Sequence, residues 1–137
     1  MKLVYPAYFY LEDDGGYSVI VPDLIGCQTQ GNTLEEAIQM ANDAALGWLL
    51  TASKENTDFP MPSNITDIKV TQKNSFTSLL FLDLESYFSK HSNESIIKKT
   101  LEIPTWLNEK AEKQQIDFSK TLNEALLYKI TYKKAWH

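Results

Sequence analysis

The spacing of apolar and polar residues changes several times along the chain, and each change marks the edge of an element. From Val4 to Leu11 the residues are almost all aromatic or aliphatic, with Pro6 near the start, where a strand tolerates a missing N–H. Glu12-Asp13-Asp14-Gly15-Gly16 supplies turn chemistry and Tyr17 to Val21 resumes as a second strand, so a β-hairpin is expected, with glycine at the positive-φ positions. Pro22-Asp23-Leu24-Ile25-Gly26 reads as a loop, and Cys27 to Gln30 as a short third strand.

At Thr33 the period becomes helical. Thr33-Leu34-Glu35-Glu36 has the form of a capping box, in which the threonine hydroxyl accepts from the N–H of Glu36 and Glu36 reaches back to the N–H of Thr33. Leu34, Ala37, Ile38, Ala41, Ala44, Ala45, Trp48, Leu49 and Ala52 then recur at three- and four-residue spacing, which predicts an amphipathic helix to about Lys54, its alanines suited to close packing on a sheet. A loop containing Pro60 and Pro62 follows, then two strands, Ile65 to Thr71 and Phe76 to Leu84, and a helical turn over Glu85 to Lys90. The expected class is α+β: a β-β-β-α-β-β front domain over residues 1–90, a polar linker over 91–96, and a second domain over 97–137.

The second domain starts with another alternating run. In Ile97-Lys98-Lys99-Thr100-Leu101-Glu102-Ile103-Pro104 the side chains of Ile97, Leu101 and Ile103 point one way and those of Lys98, Thr100 and Glu102 the other. Such a strand cannot stand alone, because its backbone groups need a partner. Pro104 ends it and suits the opening of a helix. Trp106, Leu107 and Ala111 give that helix a narrow apolar face; after a turn at Gln115 to Phe118, Ser119 reads as the N-cap of a second helix, from Lys120 to about Ile130, with Leu122, Ala125 and Leu126 as its stripe. The tail Thr131 to His137 reads as a disordered end, a phosphate-touching extension or residual packing for Trp136, the first being favoured.

Charge divides the chain in the same place. Residues 1–90 hold 12 Asp/Glu against 5 Lys, a net of −7, whereas residues 91–137 hold 6 against 8, a net of +2. An acidic front suits a basic protein partner and a basic back suits phosphate. All 13 cationic side chains are lysines, so base reading must do without the bidentate arginine–guanine contact. One cysteine, Cys27, rules out an intrachain disulfide and a multi-cysteine zinc site; His91 and His137 are too far apart for a local metal motif, so neither metal nor cofactor is expected. No apolar run reaches 18 residues and the N-terminus has no secretory pattern, so the expected location is the cytoplasm.

The segment Lys98 to Pro104, continued through Phe118-Ser119-Lys120-Thr121-Leu122-Asn123-Glu124-Ala125-Leu126, resembles a ribbon-helix-helix domain. In that family two chains pair their strands antiparallel and lay the ribbon in the major groove. The resemblance implies Lys98, Thr100 and Glu102 as the groove-facing residues, and Ser119 with Lys120 as a phosphate contact at a helix N-terminus, consistent with the free N–H groups there. It also implies a homodimer, further assembly being left open, with Leu101, Ile103, Trp106, Leu122 and Leu126 at the interface. Glu102 fits poorly beside phosphates unless it accepts from a cytosine amino group.

The front resembles the HicB antitoxin family in Tyr5-Pro6-Ala7, Asp14-Gly15-Gly16-Tyr17, Val21-Pro22-Asp23-Leu24-Ile25-Gly26-Cys27, Thr29-Gln30-Gly31-Asn32-Thr33 and Glu35-Glu36-Ala37. That resemblance implies a type II antitoxin. Its front domain, a reduced ribonuclease H-like fold, would block a small basic ribonuclease toxin of the HicA family, while its ribbon-helix-helix domain would bind operator DNA and repress the shared operon. Asp13 and Asp14 are either turn chemistry or part of an acidic surface facing the toxin, and Asp23, Leu24 and Ile25 either a structural loop or a toxin contact. The alternative is a stand-alone regulator whose front domain senses a small ligand. A working nuclease would need carboxylates gathered around divalent metals, and Asp13, Asp14 and Asp23 lie in turns or loops with no carboxylate on the first strand before Glu12, so no enzyme is expected.

Overall fold

A computed structural model describes residues 3–91 and 96–132, and divides the chain into two compact units, Met1–His91 and Ser92–His137. Residues 92–95, most of the expected linker, and 133–137, which include Trp136 of the tail, lie outside the described residues.

The front unit runs β1 (Leu3–Leu11), β2 (Tyr17–Ile20), β3 (Gln28–Gly31), α1 (Leu34–Lys54), a 3-10 turn (Ile65–Asp67), β4 (Ser75–Leu82) and α2 (Leu84–His91). Its four strands form one antiparallel sheet in the order β3-β2-β1-β4. The β1–β2 connection is a tight hairpin: the N–H of Glu12 donates to the carbonyl of Gly16 at 2.7 Å, the N–H of Gly15 donates back to Glu12 at 3.0 Å, and Gly15 takes φ +91°. Pro6 sits inside a central strand at no cost in pairing, because β1 pairs with β2 only from Tyr8 onward and turns its even-numbered backbone groups toward that side.

One face of the sheet is the core. Leu3, Tyr5, Ala7 and Phe9 of β1 are fully buried beside Val19, Leu80 and Leu82, and α1 buries Ala37, Ala41, Ala45 and Leu49. Phe9 stacks on Phe76, its register partner across β4, at 5.1 Å between ring centroids. The threonine half of the capping box is present, with Thr33 Oγ1 accepting from the N–H of Glu36 at 3.1 Å. At the other end α1 closes in a Schellman motif: Asn56 takes φ 55° and donates to Ser53, and Thr57 donates to Ala52. Gly31 is where helix meets sheet, since a Cβ there would lie 2.4 Å from the backbone nitrogen of Ala37 and 2.6 Å from its Cα.

Two expected strands are absent. Ile65 to Thr71 contains only the 3-10 turn, capped by Asn64, whose side-chain oxygen accepts from Thr66. Its half-buried isoleucines, Ile65 and Ile68, stand three apart, a spacing that suits a turn and not a pleat. Residues 97–103 carry no strand either; they run without regular secondary structure up to α3 (Thr105–Lys113) and α4 (Phe118–Thr131). A strand exists only when its ladder has a partner, and one chain supplies none. The described structure is therefore mixed α and β, a four-stranded antiparallel sheet with helices.

Gly31→Ala is expected to lower unfolding free energy by at least about 2 kcal/mol, because backbone atoms of the helix must move aside. Urea denaturation followed by far-ultraviolet circular dichroism measures it, and an unchanged midpoint would contradict the close approach.

Candidate functional site

Residues 21–27 form a loop held from several sides. The N–H of Leu24 donates to Val21, that of Cys27 to Leu24, and that of Val21 to Cys27, all within 3.1 Å. Trp48 of α1 donates its indole N–H to the carbonyl of Ile25 at 3.0 Å. Asp23 accepts from both the N–H and the hydroxyl of Ser63, at 2.9 and 2.5 Å, tying in the loop that follows α1. Leu24 is 0% exposed and is a core residue, so the expectation that it touches a partner is corrected: it anchors the loop from within. Ile25, beside it, is 86% exposed. A large apolar side chain held in solvent on a pinned loop has the properties of a binding anchor, since little ordering entropy remains to be lost.

A cleft of about 410 Å³ lies beside this loop, bordered by Gly26, Cys27, Gln28, Gly47, Trp48 and Thr51. Burial pushes the Cys27 thiol up from its ordinary pKa, which keeps it a protonated, weakly nucleophilic hydrophobe. Among the described residues no three His, Cys, Asp or Glu side chains gather in a way that could hold a metal ion.

Asp13 and Asp14 are exposed in the hairpin turn, where Asp14 Oδ1 accepts from the N–H of Gly16 at 2.9 Å. They stand at the start of β2, whereas Asp23 and Ile25 follow its end, so the five front-unit candidates split between two ends of one strand. The tie from Asp23 to Ser63 spans 40 positions and leaves no local signature in the sequence.

In the C-terminal unit Lys98, Thr100, Glu102, Leu101 and Ile103 all lie in the run without regular secondary structure before α3 and are all exposed. Leu101 is 59% and Trp106 61% exposed, and Leu122 and Leu126 of α4 are also open to solvent. Among this unit's described residues only Thr131 is buried. Helix α3 ends in a second Schellman motif, with Gln115 at φ 58° donating to Glu112 and Ile116 donating to Ala111. That geometry sets the phase of α4, whose N-cap is Asp117 and not Ser119: Asp117 Oδ1 accepts from the N–H of Lys120 at 3.0 Å. Ser119 lies within the first turn, so its expected capping role is corrected. A carboxylate already occupies one of the N–H groups expected for phosphate.

The front unit is acidic, and the C-terminal unit leaves Leu101, Trp106, Leu122 and Leu126 exposed. The sequence profile of the HicB-like antitoxins of bacterial toxin-antitoxin systems matches residues 5–125. The chain belongs to that family. Antitoxin HicB 1 of Photorhabdus laumondii is 36% identical over 61 residues, 44% of this chain and 39% of that protein, so the match spans well under half of the relative's length. Among solved structures, a chain of a toxin-antitoxin complex from Streptococcus pneumoniae is 27% identical with a TM-score of 0.59, over 94% of this chain and 99% of that one. The antitoxin HicB of Burkholderia pseudomallei, 20% identical with a TM-score of 0.69 over 91% of this chain and 96% of that one, shows the same fold. No helix among the described residues is long and apolar enough to cross a membrane.

Asp117→Ala is expected to cost about 1 kcal/mol of α4 stability through the lost cap, and Ser119→Ala much less. Thermal unfolding of the two variants side by side checks the assignment; equal losses would return the cap to Ser119.

Proposed function

We propose that this HicB-family chain is the antitoxin of a type II pair: its front unit neutralises a small basic ribonuclease toxin of the HicA kind, and its C-terminal unit represses its own operon. The role is one of binding and not of catalysis. In this reading two copies join residues 97–103 as an antiparallel ribbon, with Leu101, Ile103, Trp106, Leu122 and Leu126 buried between them and Lys98, Thr100 and Glu102 facing the major groove. The observation that carries it is the pairing of an alternating run that forms no ladder with an apolar helix face that nothing within its own unit's described residues covers. Lys120 supports a phosphate contact through its ammonium group, because its N–H already serves the Asp117 cap. On the front unit a net charge of −7 over residues 1–90 and the exposed Ile25 favour a basic partner with an apolar pocket.

Full-length protein titrated onto DNA of its own promoter tests the operator half. Lys98→Ala with Thr100→Ala is expected to weaken binding at least about tenfold at moderate salt, and to lower the salt slope by about one for each lysine removed. Unchanged affinity and slope would contradict the groove assignment. The competing reading, a regulator sensing a small ligand in the cleft beside Trp48, predicts instead that operator affinity responds to a small molecule and that the product of the adjacent gene fails to co-purify.

A further inference from the structure

The core face of the front sheet is only partly covered. Four strands at about 4.8 Å each make a face roughly 19 Å wide, of which one helix covers about 10 Å. α1 packs chiefly on β3, the strand it follows. Leu34, Ile38, Asn42 and Leu46 occupy successive turns of α1, and Leu46 borders a cleft with Asp83 and Tyr87, which carry the chain from β4 into α2. That side of α1 therefore faces β4, and α2 closes it at the Leu82 end. The hairpin end is open. Leu11, Leu34, Ile38 and Phe76 are each 37–41% exposed, although Leu11 and Phe76 belong to the face that buries Phe9. Ser78, opposite the buried Ala7, is exposed as well. The segment after the 3-10 turn reaches the other face of the sheet, where Gln72 donates its N–H to the hydroxyl of Tyr8. A polar atom marks the same side of α1: Asn42 Oδ1 is buried and meets no hydrogen-bond donor among the described residues, a state that folded proteins rarely leave uncompensated.

We propose that the groove between the first half of α1 and β4 receives a short amphipathic helix of a basic protein partner, whose apolar stripe covers Leu34, Ile38 and Phe76 while one of its polar hydrogens reaches Asn42 Oδ1. The inference rests on the toxin-binding reading of the front unit and gives it a second contact, at the opposite end of β2 from Ile25. Size and charge select this occupant. β4 is eight residues and about 26 Å long, and α2 is eight residues and about 12 Å long, so the open stretch has room for two to three turns of helix lying beside α1. A helix in that place completes the second layer of a helix-on-sheet domain and meets its groove through anchors on successive turns. Along α1 the charged residues are Glu35, Glu36 and Asp43, with no cation before Lys54; Asp13 and Asp14 follow Leu11 in the turn, against Lys73 ahead of β4. A basic helix is attracted to such a rim, whereas a second copy of the acidic unit is repelled by it.

The test is calorimetric titration of the purified product of the adjacent gene into the full-length protein and into its Ile38→Lys variant, which sets a cation where the basic helix would lie. The substitution is expected to weaken binding at least about thirtyfold, the loss of a buried interface anchor. Equal binding by a folded variant overturns the groove and leaves the toxin-binding reading standing; no binding by the unmodified protein overturns both. If Ile38→Lys lowers the copy number of the protein alone in sedimentation while affinity for the gene product holds, the groove belongs to a second copy and the proposal fails. Should the variant lose its circular dichroism signal, hydroxyl-radical footprinting of the unmodified protein decides: protection of Ile38 and Phe76 when the gene product binds supports the groove, and unchanged reactivity at both overturns it.

Discussion

Residues 96–104 hold their backbone N–H and carbonyl groups in no ladder, and Leu101, Ile103 and Trp106 stand in solvent beside them. Water can satisfy the polar groups but not the apolar ones. At roughly 25 cal/mol per Å² of apolar area, leaving such a face open forgoes several side chains' worth of stabilisation, in a unit of fewer than 50 residues with almost no buried residue of its own. Among its described residues the C-terminal unit thus supplies no cover for that face. The front unit differs in how far it meets the same need internally.

The front unit meets it internally on one side. α1 lies on the sheet closely enough that Gly31 admits no Cβ, and the loop at 21–27 is held by the buried Leu24 and by hydrogen bonds from Trp48 and Ser63. That rigidity presents Ile25 to solvent without letting it collapse onto its own surface.

Much of the front unit was legible in the sequence because its signals are local. The hairpin was announced by Asp14-Gly15-Gly16, and α1 by Thr33, Glu36 and a run of alanines at helical spacing, ending at Lys54 as expected. Ile65 to Thr71 misled because β-branched residues favour strands on average, while the capping oxygen of Asn64 and the three-residue interval between Ile65 and Ile68 decided otherwise. The cap of α4 falls on Asp117, two residues before the expected Ser119, after a helix end at which Gln115 takes a positive φ that composition does not disclose. Leu24 and Ile25 were indistinguishable by residue type, and only the turn that faces one inward and the other outward separates them. The run at 97–103 has the alternation of a strand, but whether it is one depends on a second chain.

The most direct test of that dependence is amide hydrogen exchange over Lys98 to Ile103 in the full-length protein across a dilution series. A ribbon formed between two copies predicts slow exchange at high protein concentration that becomes fast on dilution, as mass action withdraws the partner. Fast exchange at every concentration, or protection that dilution leaves untouched, would contradict it.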